Sequence, residues 1–392
     1  MKFHVKSIYS PKLMTIAFVM AFYAFITGVF EPIMAPTAKA FGISDLQVGL
    51  IFSIAPLMTI LFAPIFGKLS DVVGRRRVAL FGLVVEIIAV SLYMWRPVWW
   101  VFLIGRACDA IGYSAVIYSS IAKMEDKVKD HKRGASTGLG LSLMRIGEMT
   151  APLLGGVVAD KFGVNAPFVV SIICAVILIS YLFRLKTKHH KLKIERKNLN
   201  PFASLKTFLH VKELRVMILL GFFMSFIQPS LGIFLSLYII EHLKGSYSDI
   251  GLIMFSLMIV GGSQFLIGKL VDKIGSIKLI IAGTTTVAVA LILMSFSNTI
   301  LHFVLSALLL SCGSAFWSTS AWCYMSKVGE KIGKEGEIVG AYASLATMGV
   351  MASMIISGAV VGAFGFKTLL VMNSVIVIWV VFMAALMFQN NG

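Results

Sequence analysis

The chain has 392 residues, 58% apolar and only 14% charged, against roughly 45–50% and 25% in soluble domains, so most of its solvent is lipid. A mean hydropathy of +0.91 agrees. The net charge of +17 would suggest a nucleic-acid partner in a soluble protein, but here it reports on topology, because the cations gather on one side of a series of apolar runs.

A helix needs about 20 apolar residues to cross a bilayer. Twelve runs qualify: 13–36, 46–66, 78–95, 98–122, 135–158, 164–183, 214–240, 250–267, 279–296, 301–325, 338–363 and 368–388. The expected architecture is all-α and polytopic, with twelve transmembrane helices in two six-helix bundles: residues 1–184, a basic linker at 185–212, and residues 213–392. Met1 to Pro11 is basic and the first run is too long for a cleavable leader, so span 1 reads as a true membrane helix. Of the 35 Lys and Arg, Lys39, Arg96, Lys161, Lys244 and Lys367 fall outside. Arg106 and Arg145 fall within the membrane, which leaves 28 on one side. That bias predicts a cytoplasmic position for both termini. The four cysteines lie inside apolar runs without CxxC spacing, and His189 and His190 have no carboxylate or thiol neighbours at ligand spacing, so neither metal nor cofactor is expected.

Between spans 2 and 3 runs the turn Gly67-Lys-Leu-Ser-Asp71-Val-Val-Gly74-Arg75-Arg76-Arg77. Its glycines permit close helix approach and a tight return, and its arginines suit an anionic lipid surface. The same pattern, GKLxDxxG, returns at Gly268 to Gly275, 201 positions later and close to half the chain. A turn duplicated at half-chain spacing means a duplicated bundle. Gly28, Pro32 and Pro36 in span 1, and Pro229 and Gly232 in its repeat counterpart, span 7, are expected to bend corresponding helices of the two halves.

Ionisable residues inside a membrane cost at least ~2.5–3.5 kcal/mol each and mark function. They are confined to the first half: Glu31 in span 1, Glu86 in span 3, Arg106 and Asp109 in span 4, Arg145 and Glu148 in span 5. Helical rise puts Arg106 ~12 Å and Asp109 ~16 Å below the outer edge, and Arg145 ~15 Å and Glu148 ~20 Å above the inner edge of a core ~30 Å thick. The levels match in pairs, which predicts two ion pairs between spans 4 and 5, Arg106 with Glu148 and Asp109 with Arg145, or one network of all four. Glu31, Asp109 and Glu148 are the candidate proton acceptors, with Arg106 and Arg145 setting their proton affinity. The second half offers a mostly neutral surface with Gln228, Phe316, Trp317, Trp322 and Asn373 as candidate substrate contacts.

The turn at Gly67, Leu69, Asp71, Gly74, Arg75 and Arg76 resembles the loop between helices 2 and 3 of the major facilitator superfamily, with Val72 where a basic residue is usual. Gly147, Pro152, Gly155 and Gly156 resemble the span 5 motif of that superfamily's drug/proton antiporter branch, with Ala151 at its central glycine. Arg106 resembles the family's span 4 arginine, which is associated with proton transfer. The resemblance implies a proton-coupled exporter of small amphipathic or hydrophobic molecules, working by alternating access as a monomer. Protons, a small-molecule substrate and membrane lipid would be its partners. The alternative is a facilitative or proton-coupled carrier of a sugar or other metabolite. An enzyme would need a nucleophile, metal or cofactor constellation that the sequence lacks, and a sensor would have no need of the buried acids. By the same resemblance Asp71 is a gate latch to the start of span 11 near 336–340, and Arg75 pairs with Glu125 or Asp126. Short loops suit a prokaryotic inner membrane.

Overall fold

The computed structural model describes residues 10–95, 98–126, 133–185, 212–332 and 335–389. The expected linker at 185–212 therefore lies almost wholly outside the described residues. Every element is helical: α1 (Pro11–Gly28), α2 (Glu31–Ala40), α3 (Asp45–Val73), α4 (Arg75–Trp95), α5 (Trp99–Glu125), α6 (Arg133–Phe162), α7 (Ala166–Arg184), α8 (Lys212–Glu241), α9 (Tyr247–Met258), a 3₁₀ turn (Ile259–Ser263), α10 (Gln264–Ile274), α11 (Ser276–Ser295), α12 (Ile300–Ile332), α13 (Glu335–Phe364) and α14 (Phe366–Gln389).

Among the described residues ten helices are long and apolar enough to cross a membrane, with α1 and α2 taken together as one. Tyr247–Gly262 and Leu266–Ile274, bent by 53°, form an eleventh. The 30 residues of α6 rise about 45 Å, long enough to cross a membrane, but this helix carries Arg145 and Glu148 and is not one of the eleven. Two spans are broken for local reasons. Pro32 has no N–H for the carbonyl four residues back, and the first span parts at Val29 and Phe30. The eighth span tightens to 3₁₀ geometry across Gly261 and Gly262, where backbone entropy opposes a regular helix. Pro229, expected to bend span 7, sits inside an unbroken α8.

The chain clusters into two compact units: residues 1–43, 54–195 and 246–251 in one, and 44–53, 196–245 and 252–392 in the other. Each is built on the same helix pairings. In the first, α4 packs on α5, α1 on α6 and α4 on α7; in the second, α11 packs on α12, α8 on α13 and α11 on α14. The core of the first unit runs along α1 through Leu13, Met20, Tyr23 and Ile26 against Leu83, Val116 and Leu178. A smaller cluster in the second joins Ile267, Val271, Leu279 and Ala315.

The pairings rest on glycine. A Cβ on Gly82 of α4 would stand 2.8 Å from the Gly112 carbonyl of α5, and one on Gly283 of α11 would stand 2.8 Å from the Gly313 carbonyl of α12. Both contacts join backbones directly, and Gly283 and Gly313 follow Gly82 and Gly112 by the same 201 positions that separate the two GKLxDxxG turns. Each turn also closes on a glycine with positive φ, Gly74 at 106° and Gly275 at 98°, a conformation that other residues adopt only under strain.

Candidate functional site

The ionisable residues of the first unit are placed by four helices. The break in the first span puts Glu31 at the start of α2, with its side chain 47% exposed. Arg106 and Asp109 lie one turn apart on α5, their side chains 13% and 7% exposed. Arg106 Nη1 donates to Asp109 Oδ2 at 2.6 Å, and its Nη2 stands 3.5 Å from Glu31 Oε1. One guanidinium therefore faces two carboxylates, one buried and one open to its surroundings. The planar fork of arginine allows this where the ammonium of lysine would be a single point charge.

Arg145 and Glu148 meet on α6, with Nη1 3.1 Å from Oε2. The expected pairs between spans 4 and 5 are thus replaced by pairs within each helix. The i,i+3 spacing that sets two charges at matching depth also makes them neighbours on their own helix, a shorter reach than across the interface. Arg145 is half exposed while Arg106 is buried, so α5 carries the enclosed pair.

Glu86 on α4 was visible in the sequence as a membrane carboxyl but had no expected partner. It is fully buried, and Tyr23 of α1 donates its hydroxyl to Oε2 at 2.8 Å. Nothing in the spacing of residues 63 apart signals this contact.

The span 5 motif is a close-packing surface. A Cβ on Gly147 would overlap the Ala21 carbonyl, and one on Gly155 the Val29 carbonyl just before the break in span 1. Ala151, where the family's central glycine is usual, faces Gly28, whose missing side chain leaves the room. Gly156 meets Tyr247, and the Pro152 carbonyl meets Gly251 at the start of α9. There Ser246 and Asp249 form a reciprocal cap: the Asp249 N–H donates to Ser246 Oγ at 3.1 Å, and the Ser246 N–H to Asp249 Oδ2 at 2.7 Å. Asp160, two residues beyond the apolar stretch of α6, takes the next donors, the N–H of Tyr247 at 2.9 Å and of Ser248 at 2.8 Å, together with the Ser248 hydroxyl. Slight burial pushes the Asp160 carboxyl up, but the Ser248 and Tyr247 hydrogen bonds outweigh it and hold the group below the usual carboxylate range.

In the turn after α3, Asp71 pairs with Arg75, which also donates from Nε to Asp126 Oδ2 at 3.0 Å and from Nη1 to the Gly67 carbonyl at 3.2 Å. Asp126 is one of the two acids expected there. Arg76 donates to the carbonyls of Phe183 and Leu185 at 2.7 and 2.8 Å. The turn is thereby stapled to the ends of α5 and α7. The latch expected between Asp71 and residues 336–340 involves side chains that lie mostly outside the described residues.

The candidate substrate contacts of the second half fare differently. Asn373 is fully buried and donates to Ser230 Oγ at 3.4 Å, and Trp317 is 6% exposed. Both side chains are buried, and Asn373 Oδ1 has no hydrogen-bond partner among the described residues. Phe316 packs on the Ile267 cluster. Trp322 is exposed, edge-on to Tyr342. The Gln228 side chain lies outside the described residues.

The model of the Major Facilitator Superfamily matches residues 16–343 and 230–391. An uncharacterised transporter of this type from Methanocaldococcus jannaschii is 28% identical over 303 residues, 75% of this chain and 76% of its own. A homolog of the multi-drug resistance efflux pump PmrA from Lactococcus lactis is 28% identical over 352 residues, 85% of this chain and 83% of its own. Among solved structures, a bacterial homolog of the human lysosomal transporter Spinster superposes with a TM-score of 0.78 at 12% identity, covering 96% of each chain.

Proposed function

Because the chain belongs to the Major Facilitator Superfamily, a family of transporters and not enzymes, we propose that it exports small amphipathic or hydrophobic molecules in exchange for protons. The observation that carries this reading is the Glu31–Arg106–Asp109 cluster, in which one largely enclosed cation faces two carboxylates. Such a group has no packing purpose that apolar side chains would not serve at lower cost. The efflux role of the Lactococcus lactis relative supports the substrate class.

Glu31, half exposed, is the port at which a proton exchanges with water. Once protonated it no longer attracts Arg106, whose charge then rests on Asp109 alone. Protonation and substrate binding influence each other when both bias the same conformational equilibrium, and alternating access of the two six-helix halves supplies that equilibrium. The Arg145–Glu148 pair on α6 is a second, more solvated acid of the same half. The Gly67–Arg76 turn is the gating element, with Arg75 exchanging among Asp71, Asp126 and the Gly67 carbonyl. The proposed setting is the plasma membrane of a prokaryote, with a monomer as the working unit and both termini cytoplasmic, an orientation that the charge bias supports.

The test is luminal pH in proteoliposomes carrying an imposed proton gradient, with lipophilic cations, neutral drugs and sugars added singly. A lipophilic compound should collapse the gradient with the wild-type protein and leave it intact with Asp109→Asn. Counterflow of a sugar or other metabolite without proton movement would overturn the reading in favour of a facilitative carrier.

A further inference from the structure

Glu86 is the most enclosed carboxyl among the described residues of the first unit, and the coupling scheme above does not use it. Its side chain is fully buried, Oε1 has no hydrogen-bond partner, and Oε2 accepts from the neutral Tyr23 hydroxyl. The groups facing it can be named helix by helix. Tyr23 comes from α1, and Asp109, Arg106 and Cys108 come from α5. Tyr93 lies on its own helix. α7, the other helix packed on α4, carries Cys174, Tyr181 and, at the level of Arg76 about 15 Å along the axis from Glu86, Arg184. Arg106 is already committed to Asp109 and Glu31, and no ion pair to Glu86 exists among the described residues. The floor beneath Glu86 is backbone: a Cβ on Gly112 would stand 3.2 Å from Oε2.

A carboxylate needs a cation or several donors to remain charged away from water. Glu86 has one neutral hydroxyl for a partner and no cation paired with it among the described residues. We propose that Glu86 is a neutral carboxylic acid in the folded protein. The proton sits on Glu86 throughout and is not consumed, so this protonation state does not rest on the proposed exchange of protons.

The experiment is infrared spectroscopy of the purified full-length protein in a bilayer at neutral pH, in the carbonyl-stretch region of protonated carboxylic acids. The wild-type band should lose a component in Glu86→Gln and keep it, shifted in frequency, in Tyr23→Phe, which removes one bond to the same group. An unchanged band in Glu86→Gln, or no such band in the wild type, overturns the proposal, whatever the substrate proves to be. In the proteoliposome assay Glu86→Gln, which replaces a neutral acid by a neutral amide, should keep the wild-type pH profile. Wild-type protein that moves no protons would defeat the coupling reading alone, and the infrared result would stand by itself.

Discussion

Arg106 holds Asp109 at 2.6 Å and faces Glu31 at 3.5 Å, so its removal leaves one carboxylate stranded in the protein interior and another near water. The stranded one is costly. Breaking a buried pair from one side costs about 3–5 kcal/mol, so Arg106→Met should lower the thermal unfolding temperature in detergent. The double variant Arg106→Met with Asp109→Asn should recover most of that loss, since a neutral amide needs no counter-charge. The sequence placed the two charges of each helix on one face, because that follows from their i,i+3 spacing. It could not choose among partners. Arg106 reaches Glu31 only because span 1 breaks at Val29 and Phe30, and the Tyr23–Glu86 bond depends on the rotation of α1 against α4, which no spacing encodes. The burial of Asn373 and Trp317 was illegible for a related reason: a polar or aromatic side chain in a neutral span looks the same in sequence whether it faces a cavity or a neighbour.

At the scale of helices, the tightest joints lie where two glycines meet. Gly82→Val would push a side chain into the Gly112 carbonyl, and Gly283→Val would do the same to the backbone of α12 at Gly313. Overpacking of this kind costs roughly 1–3 kcal/mol. Each substitution should therefore lower the unfolding temperature, as read by intrinsic fluorescence, while Gly138→Val, with open space around its Cβ position, should not. The start of α9 depends on a different device. Its first N–H groups are taken by Ser246, Asp249 and Asp160, and losing a capping carboxylate exposes donors that the helix cannot satisfy itself. Amide exchange across 246–251 should accelerate several-fold in Asp160→Ala at neutral pH. Because the Asp160 carboxyl is held below its usual range, its contribution is complete above the ordinary Asp value of about 3.9. It disappears only as the pH falls through the lower folded value. Wild-type protection should thus persist through mild acid and fail only in strong acid. The Ser246-Tyr-Ser-Asp249 box was there to be read in the sequence, but Asp160, 86 positions earlier, was not.

For the molecule as a whole, the twelve apolar runs and the turn repeated after 201 positions sufficed to set out the helices, the two halves and the family. These are properties of solvent and of duplication, and both leave a record in composition and spacing. The finer boundaries were not so recorded. The first unit takes in residues 246–251 and gives up 44–53, an exchange of short segments that hydropathy cannot register, because a helix end is equally apolar whichever neighbour it touches.

The two glycine crossings carry one more implication. Gly82 on Gly112 and Gly283 on Gly313 are copies of one joint, yet only the first stands beside buried charge. The second half therefore acts as a built-in reference: whatever a given substitution does at Gly283 measures the mechanics of the joint, and any excess at Gly82 measures what the acids and Arg106 demand of it.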